Sequence, residues 1–263
     1  MKHRVVLITG ASGGIGLATA RALAGPDTQL FLAGRRPERL NAAAAALQAV
    51  PLLADLSDAA DVAHMVEAVR RKAGHLDVLV NCAGQLEVGP AEQLGVAVAE
   101  QLIRVNYLGA IRVVHACLPL LRMGEQPVIV NVSSFAGRVA PPFMAAYAAS
   151  KFALNGYSHA LRQELRPEGI HVGLVLPGPV DTPMVHGRLG GVHYPVPRGV
   201  PTLSAERVAR AILAVITQRS PEVIVPWRLR AVGRLASAYP GLVDRLYARF
   251  QSAPIPPAAR GSE

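Results

Sequence analysis

Tyr147 and Lys151 stand four residues apart in the run Tyr147-Ala148-Ala149-Ser150-Lys151. On a helix, that spacing puts both side chains on one face. An ammonium beside a phenol can hold its pKa below the usual value near 10, and the phenol can then pass a proton to or from a substrate oxygen. One cation about 4 Å away, at an effective dielectric of about 20, supplies roughly 4 kcal/mol, which corresponds to about three pKa units. Ser133-Ser134 closes one β-rich run, and Thr9-Gly10-Ala11-Ser12-Gly13-Gly14-Ile15-Gly16 follows another. A glycine-rich turn that ends a strand and opens a helix offers N–H groups to a pyrophosphate and lets the backbone come close to it. Together these residues suit hydride transfer from a dinucleotide, coupled to a proton relay.

Such groups need a rigid frame, and the chain supplies the pattern of one. Val5 to Thr9, Gln29 to Ala33, Pro51 to Ala54, Val78 to Val80, Val128 to Val132, Val172 to Leu176 and Val223 to Val225 read as strands. Ile15 to Ala24, Glu38 to Leu47, Ala59 to Lys72, Val98 to Leu121, Ala146 to Leu165 and Ala205 to Ile216 read as helices. Alternation of this kind, with strands that are apolar throughout, predicts an α/β fold: a doubly wound, seven-stranded parallel sheet with helices on both faces. At 263 residues and 51% hydrophobic, the chain fits one catalytic domain over 1–226, with a Pro/Gly-rich substrate lid at 183–202. An amphipathic helical extension at 227–252 and a disordered tail at 253–263 complete the expected layout.

The formal charge of +9 reads as an arginine-rich solvated surface. No basic run is interleaved with aromatics, so nucleic acid is not expected as a partner. Two cysteines, Cys82 and Cys117, are too few for a disulfide framework and suit a reducing cytoplasm. No C-x-x-C or His-x-x-x-His pair predicts a metal site. The N-terminal apolar run is too short for a signal peptide and breaks at Gly10, so it reads as the first strand.

The ordered set Thr9 to Gly16, Asp55-Leu56, Asn81-Cys82-Ala83-Gly84, Asn106, Ser134, Tyr147 with Lys151, and Pro177-Gly178 with Thr182 resembles the short-chain dehydrogenase/reductase family. The resemblance runs from about Val5 to Thr182, and it implies a Rossmann-type fold and an oxidoreductase acting on ketones or secondary alcohols. It assigns catalysis to Tyr147 as proton donor or acceptor, Ser134 as a partner of the substrate oxygen, Lys151 as the acidifying and ribose-binding cation, and Asn106 as the holder of a water that links Lys151 to solvent. It gives cofactor contacts to Gly10, Ser12, Gly14, Ile15, Gly16, Asp55 (adenine), Leu56, Asn81, Ala83, Gly84, Tyr147, Lys151, Pro177, Gly178, Val180 and Thr182. Cys82 departs from the family pattern, in which a second asparagine is frequent.

The second strand ends Phe31-Leu32-Ala33-Gly34-Arg35-Arg36. An acid there would accept from the ribose 2′-OH, but two arginines follow instead, and a guanidinium fork suits a 2′-phosphate. A charged hydrogen bond of ~1.5–3 kcal/mol corresponds to about 10- to 150-fold in preference. NADP(H) is therefore the expected cofactor, held by Arg35 with Arg36 beside it.

Gln85, Phe135, Phe143, Met144 and Met184 are the candidate substrate contacts, and being mostly apolar they point to a hydrophobic ketone or alcohol. Two other readings remain: a 3-oxoacyl-thioester reductase, and a non-catalytic NADPH-binding sensor or scaffold. Retention of Ser134, Tyr147 and Lys151 speaks against the sensor. By resemblance, helices 98–121 and 146–165 form a homo-oligomeric interface. The segment 227–250 has apolar residues near helical spacing among Arg228, Arg230, Arg234, Arg245 and Arg249. It could dock on a membrane surface, or pack over the cleft or against a partner subunit; the second reading is preferred.

Overall fold

Alternate side chains of each strand enter two different cores, and this fixes the architecture. The computed structural model describes residues 3–182, 184, 202–239, 241 and 245. Seven parallel strands, β1 (Arg4–Thr9), β2 (Thr28–Gly34), β3 (Val50–Leu53), β4 (Val78–Asn81), β5 (Val128–Val132), β6 (His171–Pro177) and β7 (Glu222–Val225), form one sheet in the order β3-β2-β1-β4-β5-β6-β7. Val5 and Leu7 face a core closed by α3 (Ala59–Ala73), α5 (Gly109–Leu121) and α7 (Ala145–Leu165). Val6 and Ile8 face a second core closed by α1 (Gly14–Leu23), α2 (Pro37–Leu47) and α8 (Ala205–Gln218). The period of two along a strand sends successive residues to opposite faces, and both faces are covered, so the strands are apolar throughout. The expected seven-stranded Rossmann-type sheet is the observed one.

Strand order reverses direction between β1 and β4, where Thr9 lies opposite Ala33 on one side and Asn81 on the other. A crevice opens at such a switch point, beyond the carboxyl ends of the strands. Local chemistry sets the helix ends around it. Asp58 caps α3 by accepting from the N–H groups of Ala60 (2.7 Å) and Asp61 (3.1 Å), and Gly74 ends that helix with φ of 75°.

The helix expected over 98–121 differs from the sequence expectation. It begins earlier, as α4 (Ala91–Ile103), with a break at Gly95 (φ 67°, ψ 171°). A π-helical stretch, Arg104–Leu108, then joins it to α5. The wider turn has Asn106 at its centre, and such insertions are frequent at functional sites. A four-residue helix, α6 (Ala136–Val139), follows Ser134 and was not anticipated. Beyond β7, α9 (Leu229–Ala238) packs Leu229 and Ala236 against a cluster of Phe135, Val139, Leu174, Leu176 and Ile224. The expected lid at 183–202 falls outside the described residues except for Met184 and Thr202, as does the tail at 253–263.

Candidate active site

The glycine turn is shaped by close approach. Gly10 has φ of 69°, and a Cβ there would lie 2.8 Å from the backbone N and Cα of Ala83. A Cβ on Gly16 would lie 2.3 Å from the carbonyl oxygen of Gly10. Side chains at either position would push α1 away from β1 and β4. No side chain caps the start of α1, and its first turn carries no acid. Its free N–H groups therefore face a cleft of about 310 Å³. That cradle, with positive potential at its floor, fits the pyrophosphate of a dinucleotide.

Thr9 ties the floor of the cleft together. Its Oγ1 accepts from the N–H groups of Cys82 (3.1 Å) and Ala83 (3.2 Å), fixing the end of β4 against β1. The cleft brings together Gly10, Ser12, Gly14, Ile15, Gly16, Arg35, Arg36, Asp55, Leu56, Ala83, Gly84, Gln85, Thr182 and Met184, all singled out in the sequence. Arg39, one helical turn beyond Arg35, also lines it and was not foreseen; α2 carries it back to the same mouth. Cys82 lines the cleft too. Burial pushes its thiol up to about 12 despite the opposing charge of Lys151, so it stays protonated and is no nucleophile at neutral pH.

The adenosine end is open and charged. Arg35 reaches across the cleft: the side-chain oxygen of Gln85, oriented toward it, accepts from Nη1 at 3.0 Å and Nη2 at 2.7 Å. Nη1 also lies 3.7 Å from Oδ2 of Asp55. Partial burial tends to raise the Asp55 carboxyl, but bonds from the Ser57 N–H (2.9 Å) and Oγ (2.8 Å) and the nearby Arg35 hold it below the usual range. Both Ser57 bonds go to Oδ1, so Oδ2 remains turned toward the cleft.

The catalytic end is buried and closely bonded. Tyr147 and Lys151 lie one turn apart on α7, with Nζ 5.8 Å from the centre of the phenol ring. The Ser134 side chain lies beside the Tyr147 phenol, where it favours the phenol's anion, and its Oγ accepts from the Ala136 N–H at 3.1 Å. Lys151 donates to the carbonyl of Val132 at 3.3 Å. A Cβ on Gly84 would stand 3.5 Å from that Nζ and 3.2 Å from Oδ1 of Asn106, so the catalytic residues adjoin the cleft through Gly84 and Gln85.

Burial raises the Tyr147 pKa, and the Ser134 side chain acts against that rise. Burial also lowers Lys151 to about 8. Removal from water disfavours the phenol's anion and the lysine's cation alike.

The Asn106 side chain is committed to protein partners. It donates to the carbonyl of Gln85 (2.9 Å) and to Ser150 Oγ (2.9 Å), and accepts from the Gln85 N–H (2.7 Å). Ser150 in turn donates to the carbonyl of Tyr147 (2.7 Å). Ser150, unassigned in the sequence although it lies inside the Tyr147–Lys151 run, therefore links the π-turn to the catalytic helix.

Several candidates stand away from the cleft. Asn81, expected at the ribose edge, turns its side chain into the sheet and donates to Asn131 at 3.0 Å. Phe135, expected to wall the substrate site, is buried in the cluster beneath α9, where a Cβ on Gly233 would lie 3.3 Å from its ring. Met144 is 1% exposed in an apolar cluster behind Tyr147, with Phe143 packed against it. Each is drawn inward because burying an apolar side chain, or pairing a buried amide, outweighs display at a cleft. Pro177 ends β6, and Gly178 donates to the carbonyl of Val225 at 2.7 Å. Val180 bridges Leu203 through the neighbouring carbonyl of Pro179 and N–H of Asp181, not through its own peptide groups. Thr182 lies against the glycine turn, 3.3 Å from where a Gly14 Cβ would be.

Comparison with known proteins gives the same picture. The family model for short chain dehydrogenase matches residues 4–189. An uncharacterized oxidoreductase of Staphylococcus epidermidis is 33% identical over 222 residues, covering 84% of this chain and 94% of its own. A putative ketoacyl reductase of the monensin polyketide synthase from Streptomyces virginiae is 39% identical over 188 residues, covering 69% of this chain and 72% of its own. A short-chain dehydrogenase/reductase from Burkholderia phymatum, solved with NAD, superposes with a TM-score of 0.81 at 25% identity, over 92% of this chain and 95% of that one. A short chain dehydrogenase from Burkholderia cenocepacia, solved with NADP, superposes with a TM-score of 0.79 at 26% identity, over 96% and 99%.

Proposed function

The chain belongs to the short-chain dehydrogenase family, and from that premise we propose that it is an NADPH-dependent carbonyl reductase acting on a hydrophobic ketone, with Tyr147 as the proton donor. The observation that carries this reading is the buried Tyr147, with Ser134 and Lys151 beside it, adjoining a glycine-floored cleft through Gly84 and Gln85. When bound, the nicotinamide supplies the hydride to the carbonyl carbon. Ser134 and Tyr147 bind the carbonyl oxygen, and Tyr147 delivers the proton as the alkoxide forms. Lys151 then stabilises the phenolate left behind until solvent reprotonates it. Asn106 and Ser150 hold Gln85 and the first turns of α7 in place, and the π-turn around Asn106 offers the backbone route by which a water could reach Lys151.

NADP(H) is supported by three arginines, Arg35, Arg36 and Arg39, at the adenosine end and by no acid at the end of β2. Arg35 is the main ligand of the 2′-phosphate, and the bridge to Gln85 opens as it engages. A homo-oligomer formed through residues 98–121 and 146–165 is supported by the exposed apolar side chains of Leu108, in the π-helical stretch, and Phe152, on α7. A cytoplasmic location is supported by the two cysteines, Cys82 and Cys117, both of which are free thiols. A 3-oxoacyl-thioester reductase is the second reading, favoured by the likeness to the polyketide ketoacyl reductase.

The test is NADPH consumption across aliphatic, aromatic, steroid and acyl-thioester ketones. Turnover of hydrophobic ketones with NADPH, well above NADH, is expected. Preference for acyl thioesters would move the assignment to the second reading. Saturable NADPH binding with no turnover of any ketone would leave only a nucleotide sensor.

A further inference from the structure

The outer face of α9 is unlike the rest of the surface. Inward, Leu229, Gly233 and Ala236 close on the cluster around Phe135. Outward, Val232, Leu235 and Tyr239 follow at intervals of three and four residues and are 38%, 42% and 65% exposed. Such spacing makes one continuous apolar stripe. Trp227, 70% exposed and the single tryptophan of the chain, precedes the helix, so two amphipathic aromatics bracket it across about 18 Å. Arg228, just before the helix, and Arg230 and Arg234 within it are exposed, with the Arg228 guanidinium 5.9 Å from the Trp227 ring and Arg230 donating to the carbonyl of Glu222 at 3.5 Å. No acid occurs between Glu222 and Asp244, and Glu222 is itself paired with Arg138.

We propose that this face docks the protein on an anionic lipid surface, the apolar stripe entering the headgroup boundary while the arginines pair with lipid phosphates. An apolar face, flanking arginines and interfacial aromatics are the combination that such a surface recognises. Charge complementarity selects lipid over a second copy of the chain, which would set three arginines against three arginines. Docking also suits a hydrophobic substrate: Phe135, beneath α9, directly follows Ser134, so the catalytic end of the cleft would lie beside the bilayer.

The experiment uses the full chain and reads binding, independent of turnover. Trp227 emission and co-sedimentation are measured with vesicles of phosphatidylcholine alone and of phosphatidylcholine with phosphatidylglycerol. A blue shift and co-sedimentation with the anionic vesicles only, weakened by salt, are expected. The triple variant Arg228→Gln/Arg230→Gln/Arg234→Gln should lose about 100-fold in partitioning while keeping NADPH affinity and reduction of a water-soluble ketone. Equal binding by the variant, or no shift with anionic vesicles, would overturn the proposal. So would emission that is already blue and unmoved by vesicles, since the face would then be covered by the chain itself or by a second copy.

Discussion

The two ends of the nucleotide cleft are built on opposite physical terms. At the adenosine end, Arg35 and Asp55 are nearly half exposed, separated by 3.7 Å, and held by few bonds. At the catalytic end, Asn106, Ser150 and Lys151 are 4% exposed or less and are joined by hydrogen bonds to one another's neighbours or to the strand carbonyls. Charges near water can swing toward a ligand at little cost, which suits them to the proposed selection of a nucleotide. Buried groups with satisfied partners cannot move freely, and they decide what chemistry follows. Arg35 and Gln85 join the two ends, because Gln85 offers its side chain to the arginine and its backbone to Asn106.

Substitutions should separate the two ends by the kind of loss as well as its size. Tyr147→Phe is expected to cut ketone reduction about 10³-fold through loss of the proton donor, while the dissociation constant for NADPH stays within about twofold of the parent. Equilibrium titration beside steady-state kinetics checks it, and a matching loss of affinity would mean that the phenol serves binding. Arg35→Ala should do the reverse. The ratio of NADPH to NADH affinities should fall about 10- to 150-fold, with kcat on saturating NADPH little changed.

Asn106→Ala leaves the buried N–H and C=O of Gln85 and the Ser150 hydroxyl short of partners, so denaturant unfolding should show a loss of about 1–3 kcal/mol. Its fall in kcat should exceed any rise in KM for NADPH, as expected of a group that positions the catalytic end. The pH profile gives a smaller, graded effect. Lys151 is lowered to about 8, so it carries its proton below that pH and loses it above. For reduction, kcat/KM should fall as pH rises through about 8, approaching tenfold per unit; a profile flat across that region would remove Lys151 from the proton-transfer step. Arg39→Ala is expected to have the smallest effect, about threefold on NADPH affinity with none on NADH, as for one exposed charge near a phosphate.

Much of this was legible in the chain. The strands announced themselves because two-sided burial makes them apolar throughout, and the glycine turn because a Cβ at Gly10 or Gly16 would meet backbone. Tyr147 and Lys151 were legible from helical spacing. Less visible were residues whose role depends on partners distant in sequence. Nothing local marks Thr9 as the clamp on Cys82 and Ala83, or Ser150 as the bond between Asn106 and Tyr147. Phe135 and Met144 suit either a pocket or a core as far as the sequence goes, because apolar residues serve both; only the packing around α6 and α9 shows which neighbours they have.

Sequence by itself determined the sheet, the glycine turn and the family, since periodicity, backbone sterics and fixed spacing act locally. The tertiary structure alone decided how deeply the residues at the cleft are buried and whom they touch. Burial depends on what other segments lay over a group, so the upward push on the Tyr147 pKa and the downward push on that of Lys151 are invisible in their spacing. Likewise, the bridge from Arg35 to Gln85 exists only because β2 and β4 end at the same crevice.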